Sequence, residues 1–337
     1  MLISKKIMST RINKIITNLM KEDRVPGLSL AVIQKGEVTY RESFGYKNWN
    51  TKEPVTDSSI FEGASLTKPL VAYTTLQLVE QGILKLDEPL FNYLSEDYLP
   101  DEPLANKITA RHILSHTCGF PNWRGDSQLQ VQFTPGEKFS YSGEGFVYLQ
   151  KVIEEITGQP LEQIIKKYIF DPFGMKDSSL IWMDKYDNLF CNGHDKKLVP
   201  EDFYKTPSAN AAWSLLTNSR EYANFICNIL MPNDSISNSL GPEMIQEMLN
   251  PEVQLTNNIF WGLGWGIIDN GATKSYWHWG DNDTFKTFVI FSREDQEGIV
   301  IMTNGVNGLD TCKKIITYIM DKNCLAYDEY LDPLYSQ

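Results

Sequence analysis

No uncharged apolar run in this chain reaches the 18 or so residues needed to cross a bilayer as a helix. Basic charge is scarce: 31 Lys and Arg stand against 43 Asp and Glu, a formal charge of −12. The clustered cations that a phosphate backbone demands are therefore missing, which argues against a nucleic-acid partner and against docking on anionic lipid. Cysteine is sparse and odd in number. Cys118, Cys191, Cys227, Cys312 and Cys324 cannot all pair, and no CxxC spacing exists to suggest a zinc site or redox pair. Such a pattern suits free thiols in a reducing compartment. A signal peptide is also not legible. Lys5 and Lys6 lead into a stretch interrupted by Arg11, Asn13 and Lys14, with no continuous apolar segment. There is no internal repeat and no low-complexity tract. These absences predict a soluble, cytoplasmic protein of unspecified oligomeric state.

What remains is ordinary globular composition, 42% apolar and 22% charged over 337 residues, enough for about two lobes. Ile12, Ile15, Ile16 and Leu19 give the N-terminal segment one apolar side, as in an amphipathic helix. A hairpin follows, with strands 28–34 and 37–44 around Lys35-Gly36, then a short strand near 59–62. A helix beginning close to Ser65 and ending at Gly82 is apolar nearly all round, which places it in the interior. Pro69 is tolerated in its first turn. Helices are expected over 111–116, 145–157, 161–170 and 220–230. Short β-branched or aromatic runs at 260–268, 273–279, 285–291 and 298–303 then read as strands, and a last helix spans 309–320. Strands at both ends with helices between predict an α+β fold, an antiparallel sheet built from both termini and flanked by helices. The expected layout is one catalytic unit: an α/β lobe from 1–62 and 258–325, a mainly helical lobe at 63–257, and a tail at 326–337.

Three short patterns could carry chemistry. Ser65-Leu66-Thr67-Lys68 is the chain's sole Ser-x-x-Lys. On a helix, i and i+3 share a face, so Lys68 can take the Ser65 proton provided burial keeps its amine from holding charge. A serine at a helix N-terminus also sets its own backbone N–H beside a developing oxyanion. Alone the pattern is expected by chance in a chain this long, but a lysine inside an apolar helix needs a reason. Tyr141-Ser142-Gly143 lies on a Gly-rich loop before a helix, where a phenol can aim into a cleft or simply decorate a turn. His278-Trp279-Gly280 ends a strand, where a glycine permits close backbone approach. A lone histidine is more often a structural hydrogen-bonder. His112 and His116 are spaced i, i+4 without the Glu of His-Glu-x-x-His, so no metal is assigned. Cys118 reads as a packed turn residue more readily than as a nucleophile. Of Trp123, Trp213, Trp261, Trp277 and Trp279, one or two are expected to line a cleft and the rest to pack the core.

Taken together, the three patterns resemble, in order and placement, the class C β-lactamase and penicillin-binding-protein serine hydrolases. Ile113 to Phe120 is similar to the family's Leu-Leu-x-His-Thr-Ser-Gly-Leu stretch, Phe173-Gly174-Met175 to its Leu-Gly-Met, and Gly262 to Trp265 to its Gly-Leu-Gly-Trp. His278 to Phe285 is similar to its His-x-Gly-x-Asn-x-x-Phe region, and Asn304-Gly305 closes the last strand as in family members. The resemblance covers about residues 20–320. It implies Ser65 as the acylated nucleophile, with Lys68 and Tyr141 as a proton-transfer pair that depress each other's pKa. His278 would stand where many relatives carry the Lys of Lys-Thr-Gly, orienting substrate or tuning the phenol. The backbone N–H groups of Ser65 and Asp281 would form the oxyanion hole, and Gly143, Gly280 and Asp281 would contact substrate. One departure matters: the family's Tyr-x-Asn reads Tyr-x-Gly here. Loss of an amide-recognising Asn at 143 weakens the case for a β-lactamase or D-Ala-D-Ala peptidase but leaves acyl-enzyme chemistry possible. The expectation is a cofactor-free serine hydrolase acting on a small ester or amide, or a short D-amino-acid peptide. An acyltransferase using the same acyl-enzyme, and a catalytically silent ligand-binding protein, remain alternatives.

Overall fold

The computed structural model describes residues 5–331, apart from 100, 234 and 321–325, together with 334. Cys324 and most of the expected tail beyond 331 lie outside the described residues. Helix α1 (Lys5–Asp23) leads into β1 (Gly27–Gln34), β2 (Glu37–Asn48) and the two-residue β3 (Glu53–Pro54). β4 (Phe61–Ala64) precedes α2 (Thr67–Glu80), α3 (Ala110–Leu114), α4 (Gly143–Thr157) and α5 (Leu161–Ile165). β5 (Leu215–Thr217), α6 (Ser219–Leu230) and α7 (Pro242–Leu249) come next. The last strands are β6 (Val253–Gln254), β7 (Ile259–Trp261), β8 (Gly266–Asp269), β9 (Lys274–Asn282), β10 (Phe285–Ser292) and β11 (Glu297–Thr303), followed by α8 (Gly308–Met320).

Among the described residues nine strands form one sheet in the order β3-β2-β1-β11-β10-β9-β8-β7-β6, every neighbouring pair antiparallel. The two ends of the chain meet where β1 pairs with β11, Leu30 opposite Ile301. This is the α+β architecture expected from the sequence. Strand alternation sends side chains to two different layers. Ala31, Val289, Phe291, Val300 and Met302 face the larger core shared with α2 and the helices between the sheet halves. Leu28, Leu30, Phe288, Ile290, Ile299 and Ile301 face a second core. There Ile16 of α1 and Ile315 and Ile316 of α8 cover the sheet. With both faces buried, β10 and β11 read as nearly unbroken apolar runs. Among the described residues no helix is long and apolar enough to cross a membrane.

Several expected boundaries shift. The strand expected over 260–268 is two strands, β7 and β8, because Gly262–Trp265 turns back between them. Gly264 has φ +86° and lies so close to Ala72 of α2 that a Cβ would sit 2.5 Å from the Ala72 Cβ. The helix expected at 111–116 stops at Leu114, since His116 adopts φ +56°. Residues 161–170 begin as α5 and widen into a π-helical turn over Lys166–Phe170. The short strand expected near 59–62 falls two residues later, as β4. It pairs with β5 in a separate two-stranded sheet.

Candidate active site

Ser65 sits at the corner between β4 and α2, and the corner is tightly built. Ala64 takes φ +49°, the left-handed region that costs a non-glycine residue about 1–3 kcal/mol. Thr67 Oγ1 donates to Ala64 O (2.6 Å) and accepts from Leu215 N–H (3.0 Å), and Tyr222 OH donates to Leu66 O (3.0 Å). Gly280 of β9 lies against this corner. A Cβ there would be 2.5 Å from Gly63 O and 3.1 Å from the Ala64 Cβ. The glycine after His278-Trp279 thus serves packing of the strand against the corner that carries Ser65.

Lys68, in the first turn of α2, is completely buried. Its Nζ is 3.1 Å from Ser65 Oγ and donates to Ala212 O at 2.8 Å. It lies 4.8 Å from the Tyr141 ring centroid and 5.7 Å from that of Phe146. Burial among these groups pushes its pKa down to about 7. Tyr141, half-buried on the loop before α4, is packed between His116 (ring centroids 4.2 Å apart) and Trp279 (5.0 Å). The loop is held by Asn122, which accepts Gly143 N–H on Oδ1 (3.0 Å) and Glu144 N–H on its carbonyl (3.1 Å). Ser142 caps α4 by accepting Gly145 N–H at 3.0 Å.

His278 is drawn into the wall behind the cleft instead of lining it. It has no exposed surface, and its Nδ1–H donates to Trp279 O at 2.7 Å. Burial, and secondarily the charge of Lys68, lowers its pKa to about 3, so the ring is neutral and Nε2 is an acceptor. That Nε2 is buried with no hydrogen-bond partner among the described residues. His116 is also neutral, its pKa lowered well below the usual value first by burial. Its Nδ1 accepts Ser142 N–H at 3.1 Å. His112 is instead occupied as half of the capping box of α3 with Thr109. The i, i+4 histidines therefore do not share a helical face. Among the described residues no three His, Cys, Asp or Glu gather as a metal site. Cys118 is buried, and burial raises its thiol pKa to about 11, which makes it a poor nucleophile.

Ser65, Lys68, Tyr141 and Asp281 line one cleft of about 720 Å³. Asp281 is ion-paired with Lys286 and accepts Asp283 N–H at 2.9 Å. Asn282 ties the end of β9 to Glu62 of β4. Trp123, Trp213 and Trp279 line the cleft too, one tryptophan more than expected, while Trp261 and Trp277 are core. Gly143 does not open into the cleft, because the Trp123 ring occupies its side-chain space, with two ring atoms 2.6 Å from where a Cβ would be. Sequence reasoning missed Asn122, Phe139, Tyr330 and Leu334 as lining residues. Only the position of Asn122 and Phe139, beside the Gly-rich loop and the His116 turn, could have signalled them. Tyr330 arrives from the far end of the chain, where Glu329 accepts from Thr256 Oγ1 (2.6 Å) and Asn258 Nδ2 (3.0 Å).

Known proteins are similar to this chain to different extents. Penicillin-binding protein 4* of Bacillus subtilis is 33% identical over 165 residues, 42% of this chain and 35% of that protein. Esterase EstB of Burkholderia gladioli is 28% identical over 207 residues, 52% of each. The matched region thus spans about a third of the first relative's length and half of the second's. The octameric penicillin-binding protein homologue from Pyrococcus abyssi superposes with a TM-score of 0.80 at 25% identity, covering 94% of this chain and 78% of that one. D-alanine carboxypeptidase AmpC from Burkholderia cenocepacia, at 17% identity, shares the fold with a TM-score of 0.79 over 94% of this chain and all of its own. Residues 12–321 match the Beta-lactamase family model, and the chain belongs to that family of serine hydrolases.

Proposed function

We propose that the chain hydrolyses small esters or amides through an acyl-enzyme on Ser65. The observation that carries this reading is a wholly buried lysine amine 3.1 Å from the Ser65 hydroxyl, with its pKa lowered to about 7. A neutral Nζ still donates to Ala212 O and offers its lone pair to the hydroxyl proton. As Ser65 Oγ bonds to the substrate carbonyl carbon, that proton passes to Lys68, with Tyr141 beside it as the second member of the relay. The carbonyl π electrons move onto oxygen, and the backbone N–H groups of Ser65 and Asp281 are assigned to hold that oxyanion. Collapse expels the leaving group, which takes the proton. Water then attacks the acyl-Ser65 ester by the same relay in reverse. Esters are favoured over amides, because their leaving groups depart without needing a positioned amide contact at 143. No cofactor is required. Cys118 and Cys191 are buried as free thiols, which supports a reducing, cytoplasmic location.

Intact-protein mass spectrometry after incubation with a fluorophosphonate tests the reading. Wild type should gain one adduct and Ser65→Ala none, with unchanged circular dichroism. An adduct on Ser65→Ala would overturn the assignment.

A further inference from the structure

The walls of the cleft say what kind of acyl group they accept. Trp123, Phe139, Trp213, Trp279 and Tyr330 line it, and the sole cation among its described lining residues is Lys68. Lys68 is turned to Ser65 and Ala212 O, at the reacting end. Among the described lining residues the one carboxylate, Asp281, already has Lys286 as its ion partner. A substrate carboxylate entering this space would lose water against aromatic faces, whose quadrupoles present negative charge, and beside a second carboxylate. A flat apolar group can stack on those aromatic faces, away from Asn122, Asp281 and Asn282 on the same lining. Trp123 is the placed element of that wall: its ring lies on Gly143, where any side chain would displace it, yet 48% of the residue remains accessible.

We propose that the cleft selects acyl groups ending in an uncharged aromatic ring and rejects those carrying a carboxylate, with Trp123 as the wall that sets this choice. The inference rests on the acyl-enzyme reading above and names its substrate class. Anionic β-lactams, whose ring carboxylate stays tethered to the acyl-enzyme, are poor substrates on this account.

The test compares kcat/KM for the p-nitrophenyl esters of acetate, butyrate, phenylacetate and glutarate (the monoester, whose far end is a carboxylate). Wild type should prefer phenylacetate to butyrate about tenfold and to the glutarate monoester about 10²-fold. Trp123→Ala should lower the phenylacetate-to-acetate ratio about tenfold, and Trp123→Phe should restore most of it. A glutarate monoester turned over as fast as butyrate, or an aromatic preference that survives Trp123→Ala, would overturn the inference. Failure of all four esters would count against the catalytic reading instead. The wall is then tested without chemistry, by calorimetric titration of Ser65→Ala with phenylacetamide and with glutarate monoamide. Binding of the first well ahead of the second supports the wall, and equal binding refutes it.

Discussion

An ordinary lysine side chain holds its proton up to a pH of about 10.4, so Lys68 can act as a base near neutrality only because of where it sits. Burial lowers the amine to about 7 and brings it into range. The sign follows directly. As pH rises through about 7, Lys68 loses its proton and kcat/KM on one ester should rise on a single limb. His278, lowered to about 3, and His116, lowered likewise, are neutral throughout and should add no inflection near 6.5. Steady-state rates from pH 5 to 10 check this, and a limb that moves on His278→Ala while Lys68 is intact would assign the base wrongly. Lys68→Ala and Tyr141→Phe should each cost at least about 10²-fold. The double variant should be little worse than the poorer single, as expected of two members of the proposed relay. At this scale the sequence was readable where spacing is local: Ser65 and Lys68 share a turn, and Tyr141 sits beside its glycine. Trp123 on Gly143, twenty residues apart in the chain, and Tyr330 on the cleft rim are products of folding, and no local pattern announces them.

Among elements, the decisive contact is β9 against the corner of β4 and α2. Gly280→Ala would put a methyl 2.3 Å from Thr287 Oγ1 and 2.5 Å from Gly63 O, the latter a backbone atom that cannot rotate away. The strand and the corner must separate, and with them Asp281 N–H and Ser65. The expected result is a stability loss of about 1–3 kcal/mol, read as a lower urea midpoint, together with a drop in kcat exceeding any change in KM. A variant of wild-type stability and rate would show that the corner has slack. Elements were legible in the chain where one physical signal dominates. β10 and β11 are apolar on both faces, α2 is apolar all round, and α1 carries its isoleucines on one side. What escaped notice depends on partners distant in sequence. β5, three residues long, exists through its pairing with β4, whose own place shifted two residues from the expected strand. The turn between β7 and β8 packs at Gly264 against Ala72 of α2, far earlier in the chain.

For the molecule as a whole, the four histidines set a common acid response. His112, His116, His194 and His278 all have lowered pKa values, with burial the first cause in each. His194, for example, is fully occupied while neutral: Nδ1–H donates to Asn304 O at 3.0 Å, and Nε2 accepts Trp49 N–H at 3.0 Å. In the unfolded chain each titrates near 6.5. Above that pH neither state binds the protons, and nothing is lost. Below it the unfolded chain takes them up while the folded one does not, so stability drains as pH falls, until the folded pKa is reached. For His278, with a folded pKa of about 3, the loss at pH 5 is about 2 kcal/mol. Glu62, Glu162 and Glu221 act in the opposite direction. Burial raises their pKa values, so the folded state binds their protons first and gains on acidification. A bare comparison of pH 7.5 with pH 5 would therefore mix two signs. The difference between wild type and His278→Gln cancels the carboxyl contribution, because only the imidazole is removed. Urea unfolding at both pH values should show that the stability lost on acidification is smaller in His278→Gln by about 2 kcal/mol. This holds whatever the substitution does to stability at pH 7.5. If the two proteins lose the same amount, His278 is protonated in the folded state near pH 6, and its neutral ring is no longer part of the wall behind Tyr141.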